Sequence, residues 1–260
     1  MLVRETAGSI QIAPGCCQPA MRLQVDRVWD RIAGWCLPPH CVLCHGRGQP
    51  PLLDLCAACE ADLPVHPRPC PRCALPAGRG PDFSECARCR ADSPPYDRCH
   101  AAFRYGFPLD GLVQGLKYEG QLASARVLGT LLGRSVRLAA LHLDVDVLVP
   151  VPLHPDKLAE RGFNQSIEIA RWVAREVGRP CDCASLRRTR STRPQVGLPL
   201  SERLENLQQA FAVTDSLRGR RVALLDDVVT TGSTARECAW ALRRAQAATV
   251  DVWCVARTPM

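Results

Sequence analysis

The sequence lacks several features that define common protein classes. Only two of its 33 basic residues are lysines, and aromatic residues make up 5% of its 260 positions. It has no run of 18 apolar residues, and charges and prolines interrupt its first 35 positions. We therefore expect neither a membrane-spanning helix nor a signal peptide, and we expect a cytoplasmic, globular protein. The absence of a G-x-x-x-x-G-K-[ST] motif excludes a P-loop nucleotide site.

The basic excess is mild and is carried almost wholly by arginine. The net charge is +7 at pH 7. Arginine makes bidentate contacts to phosphate, so this charge permits nucleic acid or phosphate ligands. An arginine-biased codon usage explains the same composition, so the excess alone indicates no partner.

Cysteine is abundant and clustered. Of the 16 cysteines, 12 precede residue 100. Eight of them form four C-x-x-C pairs: Cys41/Cys44, Cys56/Cys59, Cys70/Cys73 and Cys86/Cys89. In a reducing compartment this clustering favours metal over disulfides, and two such pairs complete a tetrahedral, structural zinc site. The gap between the first and second pairs is similar to the gap between the third and fourth pairs. This similarity favours two consecutive zinc ribbons. A cross-braced pairing, a redox-active motif and disulfides remain alternatives.

The chain divides into segments that differ in amino-acid composition and in hydrophobic periodicity. We expect a disordered leader over 1–22, an amphipathic helix over 23–35, a double zinc ribbon over 36–95 and an α/β domain over 96–260. The ribbon segment is too poor in branched aliphatic residues to form an ordinary core, so bound metal should supply its folding free energy. In the last segment short apolar runs alternate with helical patterns, which predicts a parallel sheet with crossover helices. The helices are predicted at 109–118, 122–138, 155–177 with an interruption at Gly162, and 234–245. The strands are predicted at 101–107, 145–151, 210–213, 221–225 and 249–255.

One element carries a ligand-binding signal. A buried strand at 222–225 leads into Asp226 and Asp227, and a helix follows. A small polar loop joins strand and helix, formed by Thr230, Thr231, Gly232, Ser233 and Thr234. Ligands of open α/β sheets bind at the carboxyl ends of strands, and helix N-termini attract phosphate. Adjacent carboxylates suit vicinal ribose hydroxyls, so the element predicts a ribose 5-phosphate site. The alternative is a capping box formed by Thr234 and Glu237.

These residues resemble a known family. The stretch 222–234, VALLDDVVTTGST, resembles the phosphoribosyl pyrophosphate (PRPP) motif of type I phosphoribosyltransferases. The chain from about 23 to 258 resembles ComF-family proteins, through LPPHCVLC, LKYEG, LVPVPLHPDKLAERGFNQ, RPQVGLPLSERLENLQQAF and a terminal VAR. The resemblance implies an α/β, type I phosphoribosyltransferase-like parallel sheet with flanking helices, preceded by a small Cys-rich zinc-ribbon module. It also implies a role in natural competence, with PRPP, single-stranded DNA and competence proteins as partners.

The resemblance also implies further site residues. Pro152, Leu153 and His154 follow a strand and correspond to the pyrophosphate-side loop. Lys157 and Arg161 lie one turn apart and face either that anion or solvent. The segment around Lys117 falls near the site, and Asn164 and Gln165 either line it or belong to a helix cap. A long irregular connection carries four arginines: Arg187, Arg188, Arg190 and Arg193. We expect them to belong to a lid that closes over PRPP, to contact single-stranded DNA, or to lie in a loop exposed to solvent.

Three functions fit this pattern. The chain is a DNA-uptake factor with a phosphoribosyl pocket, an active phosphoribosyltransferase of nucleotide salvage or biosynthesis, or a regulator that senses PRPP without turnover. In a catalytic protein Asp226 and Asp227 would position the ribose, and Mg²⁺ would bridge the pyrophosphate and the ribose hydroxyls.

Overall fold

The computed structural model describes residues 38–66, 69–76, 85–189 and 210–259. The predicted leader and first helix, together with Arg190, Arg193 and most of the irregular connection, lie outside the described residues. No helix in the described ranges is both long and apolar enough to cross a membrane.

The centre of the fold is a parallel four-stranded sheet. The six strands are β1 (Arg98–Arg104), β2 (Val147–Pro150), β3 (Leu186–Arg188), β4 (Phe211–Val213), β5 (Arg221–Val229) and β6 (Thr249–Arg257). The order in the sheet is β1-β6-β5-β2, while β3 and β4 form a separate antiparallel pair. Leu148 of β2 also bridges Cys181 in parallel, so the segment around Cys181 lies beside β2.

Helices cover both faces of this sheet. The α-helices of the described residues are α1 (Ala57–Ala61), α2 (Ala87–Ala91), α3 (Leu109–Glu119), α4 (Leu122–Leu138), α5 (Pro155–Arg161), α6 (Gln165–Val177) and α7 (Ser233–Arg244). Alternate residues of β5 enter two different cores: Ala223 and Leu225 share one with α3, α4 and α6, and Val222 and Leu224 share the other with α7. Burial on both faces explains why β5 and β6 read as continuous apolar runs. The expected α/β architecture behind a Cys-rich module is confirmed.

Two predicted boundaries were wrong in ways that affect the site. The strand predicted at 221–225 continues to Val229, because its pairing with β6 extends to Val229 opposite Arg257. Asp226 and Asp227 therefore lie within β5 rather than beyond its end. Arg187 and Arg188, predicted in an irregular connection, lie in β3, where they pair with β4.

Part of the Cys-rich segment shares the core of the domain, which the sequence did not predict. Leu53, Leu55 and Leu63 are at most 3% exposed and belong to the same core as α3, α4 and α6. Asp54 accepts a hydrogen bond of 2.8 Å from Arg126 Nε on α4. Hydrophobic burial, as well as any metal, therefore holds the first part of this segment in place.

Candidate functional site

The two carboxylates of β5 meet two different helices. Asp226 Oδ1 accepts hydrogen bonds from Ser166 Oγ at 3.2 Å and from the Asp227 N–H at 2.9 Å. Asp227 is 4% exposed, and its Oδ2 lies 2.6 Å from Lys117 Nζ. The beginning of α6 and the end of α3 thus converge on β5. Lys117 falls at the site, as the resemblance implied.

The carboxylate pair is electrostatically strained. Burial and the neighbouring charge of Asp227 raise the pKa of Asp226 well above its ordinary value, while Lys117 opposes the shift. Two adjacent carboxylates in a desolvated position resist double ionisation. Hydroxyl donors or a cation beside Asp226 would relieve that repulsion, which is the chemistry that a ribose or a Mg²⁺ ion offers.

The helix α7, which follows the loop after β5, has no side-chain cap at its N-terminus. Gly232 is the N-cap of α7, has φ of +83° and forms no side-chain capping bond. The helix begins at Ser233, so Thr234 is its second residue rather than its cap. The capping-box interpretation of Thr234 and Glu237 was therefore wrong. A positive φ is a conformation that glycine adopts without strain, which explains the residue type at this position.

The backbone of this loop offers free donors. The N–H groups of Thr231, Gly232 and Thr234 have no acceptor within the described parts of the chain. The Ser233 N–H meets Thr231 Oγ1 at 3.3 Å, and these two hydroxyls lie 2.7 Å apart. A small depression is lined by Asp226 and by residues 228–235. Free amides at the positive end of a 12-residue helix are an arrangement that can hold an anion.

The loop predicted to lie on the pyrophosphate side follows β2, the neighbour of β5 in the sheet. The Val151 N–H donates to Leu225 O at 2.8 Å, so the residues that follow, Pro152 and Leu153, leave the sheet beside the middle of β5, one residue before Asp226. His154 is the N-cap of α5, and its Nδ1 accepts from the Asp156 N–H at 3.2 Å.

Asn164 has a structural role. Its Oδ1 accepts from the Ser166 N–H at 2.9 Å and caps α6, while its Nδ2 donates to Val151 O at 2.9 Å. Asn164 therefore fixes Ser166 against Asp226. Of the two alternatives for Asn164, the cap is confirmed.

The eight paired cysteines form two separate groups. One contains Cys41, Cys44, Cys56 and Cys59, the other Cys70, Cys73, Cys86 and Cys89, and the ligand atoms within each group lie within 4.8 Å of one another. The Sγ atoms of Cys44 and Cys56 are 3.7 Å apart, and those of Cys73 and Cys86 are 3.6 Å apart. Zn–S bonds of about 2.3 Å in a tetrahedron place sulfurs about 3.8 Å apart. The consecutive pairing is confirmed, and the cross-braced pairing was wrong.

The thiols of each group favour a bound cation. All thirteen cysteines among the described residues are free thiols, so the disulfide alternative was wrong. Burial opposes ionisation of Cys41, but hydrogen bonds from backbone N–H groups lower its pKa to about 6. Burial and then interaction with Cys73 raise the pKa of Cys89. Four thiolates cannot share such a site without a compensating cation, and zinc fits this donor set.

Comparisons with known proteins place the chain in a family. No family model matches it. It is 36% identical to DNA utilization protein YhgH of Salmonella typhi, over 85% of this chain and 98% of that protein. It is 30% identical to Competence protein F of Haemophilus influenzae, over 84% of this chain and 96% of that protein. The chain belongs to the ComF family. A solved structure, the allosteric regulatory enzyme of purine biosynthesis, is similar over 50% of this chain and 25% of that chain, with 24% identity and a TM-score of 0.36.

The two basic residues predicted on the pyrophosphate side both lie on α5 of this ComF-family chain. Lys157 is exposed on α5. Arg161 donates to Gln165 Oε1 at 2.6 Å and lies 5.8 Å from the centre of the Tyr118 ring, next to Lys117.

The first two arginines of the predicted cluster belong to the β3–β4 pair. Arg187 Nε donates to Ala184 O at 3.1 Å, and the Arg188 guanidinium lies 5.5 Å from the centre of the Phe211 ring. Arg190 and Arg193 lie outside the described residues, so the lid or nucleic-acid role of the four stays a prediction.

Two residues that contact the candidate site were given no role by sequence reasoning, although Arg257 ends the quoted VAR stretch. Ser166 contacts Asp226, and no short motif marks a serine for that role. Arg257 is 3% exposed behind the loop, where it donates to Val229 O at 2.7 Å and also to Thr230 O. A charged residue that ends an apolar strand was the available signal, because a buried arginine needs a dedicated set of acceptors.

Proposed function

We propose that this ComF-family protein binds the ribose 5-phosphate portion of PRPP or a related phosphoribosyl ligand at the end of β5. The observation that carries the proposal is the set of free amides at the start of α7, in a depression that the carboxylate of Asp226 also lines. The 5′-phosphate would accept from the amides and hydroxyls of residues 230–234. The ribose hydroxyls would donate to Asp226, whose pKa is raised by burial and then by the neighbouring charge of Asp227.

The pyrophosphate of PRPP would extend toward the loop after β2. That loop contains Pro152, Leu153 and His154, and α5 behind it carries Lys157 and Arg161. Mg²⁺, when bound with PRPP, would neutralise charge between the diphosphate and the ribose hydroxyls. The chain would contribute carboxylate acceptors from β5, which are the oxygen ligands that Mg²⁺ prefers.

We propose that each of the two Cys groups binds a structural zinc ion. The spacing between sulfurs and the four-thiol donor set support zinc, and four protein ligands leave no open position for catalysis. Zinc binding would add folding free energy to a segment whose own core is small. A metal assay should find about two zinc ions per chain.

The physiological role that we propose is DNA uptake during natural transformation. The names of the relatives, DNA utilization protein and Competence protein F, support this role. Single-stranded DNA and competence proteins would be the partners, and Arg187, Arg188, Arg190 and Arg193 would contact DNA phosphates. If they do, replacing them reduces DNA binding most at low salt and flattens its salt dependence.

Calorimetry with the purified protein tests ligand binding directly. Ribose 5-phosphate and PRPP with Mg²⁺ should each bind and raise the melting temperature, because a ligand of the folded state stabilises it. The Asp226→Asn/Asp227→Asn variant, which retains the loop amides, should lose affinity for ribose 5-phosphate but retain weak binding of inorganic phosphate. Absence of binding by the wild-type protein at millimolar ligand would refute the proposal.

Turnover of PRPP is a second candidate function. Both carboxylates and the whole loop are present, which favours an active phosphoribosyltransferase over a binding protein that has lost its chemistry. Pyrophosphate release measured with a panel of nitrogen nucleophiles distinguishes an enzyme from a non-catalytic PRPP sensor. Restoration of transformation in a deletion strain by the wild-type gene, but not by the double Asp variant, would link the pocket to DNA uptake.

A further inference from the structure

The second Cys group (Cys70, Cys73, Cys86 and Cys89) is connected through one buried side chain to the loop at residues 230–234, the proposed phosphate loop. Arg257 Nε donates to Cys73 O at 3.0 Å, and a terminal nitrogen of the same guanidinium donates to Val229 O at 2.7 Å and to Thr230 O. Cys73 belongs to the second Cys group, and Thr230 begins the loop that carries the free amides. One guanidinium therefore links the backbone of a proposed metal ligand to the backbone of the proposed phosphate site.

The chemistry of arginine makes this connection rigid. The guanidinium is planar and always charged, and its donors stand in a fixed fork. Arg257 is 3% exposed, so water cannot replace an acceptor that moves away. An unsatisfied buried donor is costly. A displacement of the Cys73 carbonyl must therefore shift the guanidinium and the loop carbonyls with it, or break these bonds.

Further contacts join the same Cys group to α7. Arg236, in the first turn of α7, forms two bonds of 2.8 and 2.9 Å with the carboxylate of Asp92, which ends α2. Arg243, near the other end of α7, pairs with Asp97 at 2.5 Å. The helix whose N-terminus forms the proposed anion site is thus tied at that end to Asp92, three residues after Cys89, and at its other end to Asp97, directly before β1.

The first Cys group has no such connection in the described residues. Its neighbours Asp54 and Glu60 pair with Arg126 and Arg134 of α4. The helix α4 packs on α6 and β1, on the face of the sheet opposite α7. The two Cys groups therefore provide a natural comparison within one chain.

We propose that the second Cys group and Arg257 form a positioning unit for the phosphate loop. Metal binding at the second group and phosphoribosyl binding at the loop are then energetically coupled, while the first group is uncoupled. The inference deepens the proposed function and rests on it for its ligand. Coupling of this kind is reciprocal, so each ligand raises the affinity of the other by the same factor.

The first experiment needs no phosphoribosyl ligand. Hydrogen exchange is measured at the hydrogen-bonded amides that flank the loop, those of Arg236 (bonded to Gly232 O at 2.9 Å) and Thr258 (bonded to Val229 O at 3.1 Å). It is compared in the full chain, in a Cys86→Ser variant and in a Cys56→Ser variant, with metal content checked by native mass spectrometry. We expect loss of the second metal to accelerate exchange about tenfold or more, and loss of the first metal to leave it unchanged. Equal effects of both variants, or no effect, would overturn the inference. Because a variant can misfold, stepwise chelation of the wild-type protein is followed in the same way and must give the same result.

The second experiment measures the coupling itself. Ribose 5-phosphate should bind about tenfold more weakly to Cys86→Ser and with wild-type affinity to Cys56→Ser. In the wild-type protein, bound ribose 5-phosphate should slow the loss of the second metal to a chelator and should not slow the loss of the first. Arg257→Lys keeps the charge but loses the fork, so it should retain both metals and abolish the protection. Protection that survives in Arg257→Lys would overturn the role of Arg257. Failure of the wild-type chain to bind ribose 5-phosphate would refute the proposed function, while the exchange experiment would still decide the coupling.

Discussion

The Nζ atom of Lys117 lies 2.6 Å from Oδ2 of Asp227, where the last turn of α3 reaches the buried end of β5. One of the two lysines in the chain is therefore committed to a carboxylate of the proposed ribose site. The side chains are 22% and 6% exposed, so the pair is largely shielded from water.

Removing one partner of this pair should be costly. Lys117→Met leaves Asp227 buried without its cation and should lower the free energy of unfolding by about 3 kcal/mol. Lys157→Met, which removes the exposed lysine, should change it by less than about 0.5 kcal/mol. Urea denaturation of both variants checks the difference. The double variant Lys117→Met/Asp227→Asn should recover part of the loss, and a loss unaltered in the double variant would contradict the pairing.

The pH dependence of stability should reveal the raised pKa of Asp226. A carboxyl group whose folded pKa exceeds its unfolded value binds more protons in the folded state, so stability falls as the pH rises above about 4 toward the folded pKa. Asp226→Asn should therefore stabilise the protein at pH 7 and have little effect at pH 4. Denaturation at the two pH values measures this gain.

Asp146 provides a control of opposite sign. Its hydrogen bonds with Arg221 lower its pKa to about 2. The stability that this contact contributes is present above the unfolded pKa and disappears as the pH falls toward 2. Asp146→Asn should therefore destabilise the protein at neutral pH. The same sign of effect for both variants at pH 7 would contradict these assignments.

The shared core predicts that damage to the Cys-rich segment spreads into the domain. Leu55 is 0% exposed and belongs to the core of α3, α4 and α6, so Leu55→Ala should cost about 3 kcal/mol in the unfolding of the whole protein. Near-ultraviolet circular dichroism and tryptophan fluorescence should report one transition at a lower temperature. Separate transitions, with only a small one shifted, would show instead that the segment folds as an independent unit.

Gly232 should be needed for both conformation and ligand binding. A Cβ at φ of +83° is strained, so Gly232→Ala should cost about 1 kcal/mol and distort the loop amides. Gly178→Ala, at φ of +67° after α6, should cost about as much without affecting the site. Calorimetric titration with ribose 5-phosphate should give weaker binding for Gly232→Ala and unchanged binding for Gly178→Ala. Equal affinities would argue against the loop as the phosphate site.

Local patterns predicted the parts of the site that are close in sequence. The run from Val222 to Thr234 indicated strand, carboxylates and anion loop together, because the covalent chain itself places them at one sheet edge. The C-x-x-C spacing and similar gaps predicted both Cys groups for the same reason. The extent of β5 was underestimated, because two aspartates disfavour a strand and only pairing with β6 overrides that preference.

Residues distant in sequence could not be derived in this way. Ser166 reaches Asp226 across 60 positions and Arg257 reaches Cys73 across 184, and each contact depends on the packing of the whole sheet. The resemblance pointed to the segment of Lys117 but named no partner for it. Long-range polar contacts follow from tertiary structure, whereas periodicity and spacing report only on neighbours along the chain.

The position of β6 has a consequence for the synthesis of this protein. The strand formed last along the chain lies between β1 and β5, in the interior of the sheet. Its contacts with β1 join residues about 150 positions apart, so the sheet cannot close until residues 249–257 have been translated. A stop codon before residue 249 would therefore remove a central strand and separate β1 from the β5–β2 pair, leaving open strand edges for chaperones and proteases.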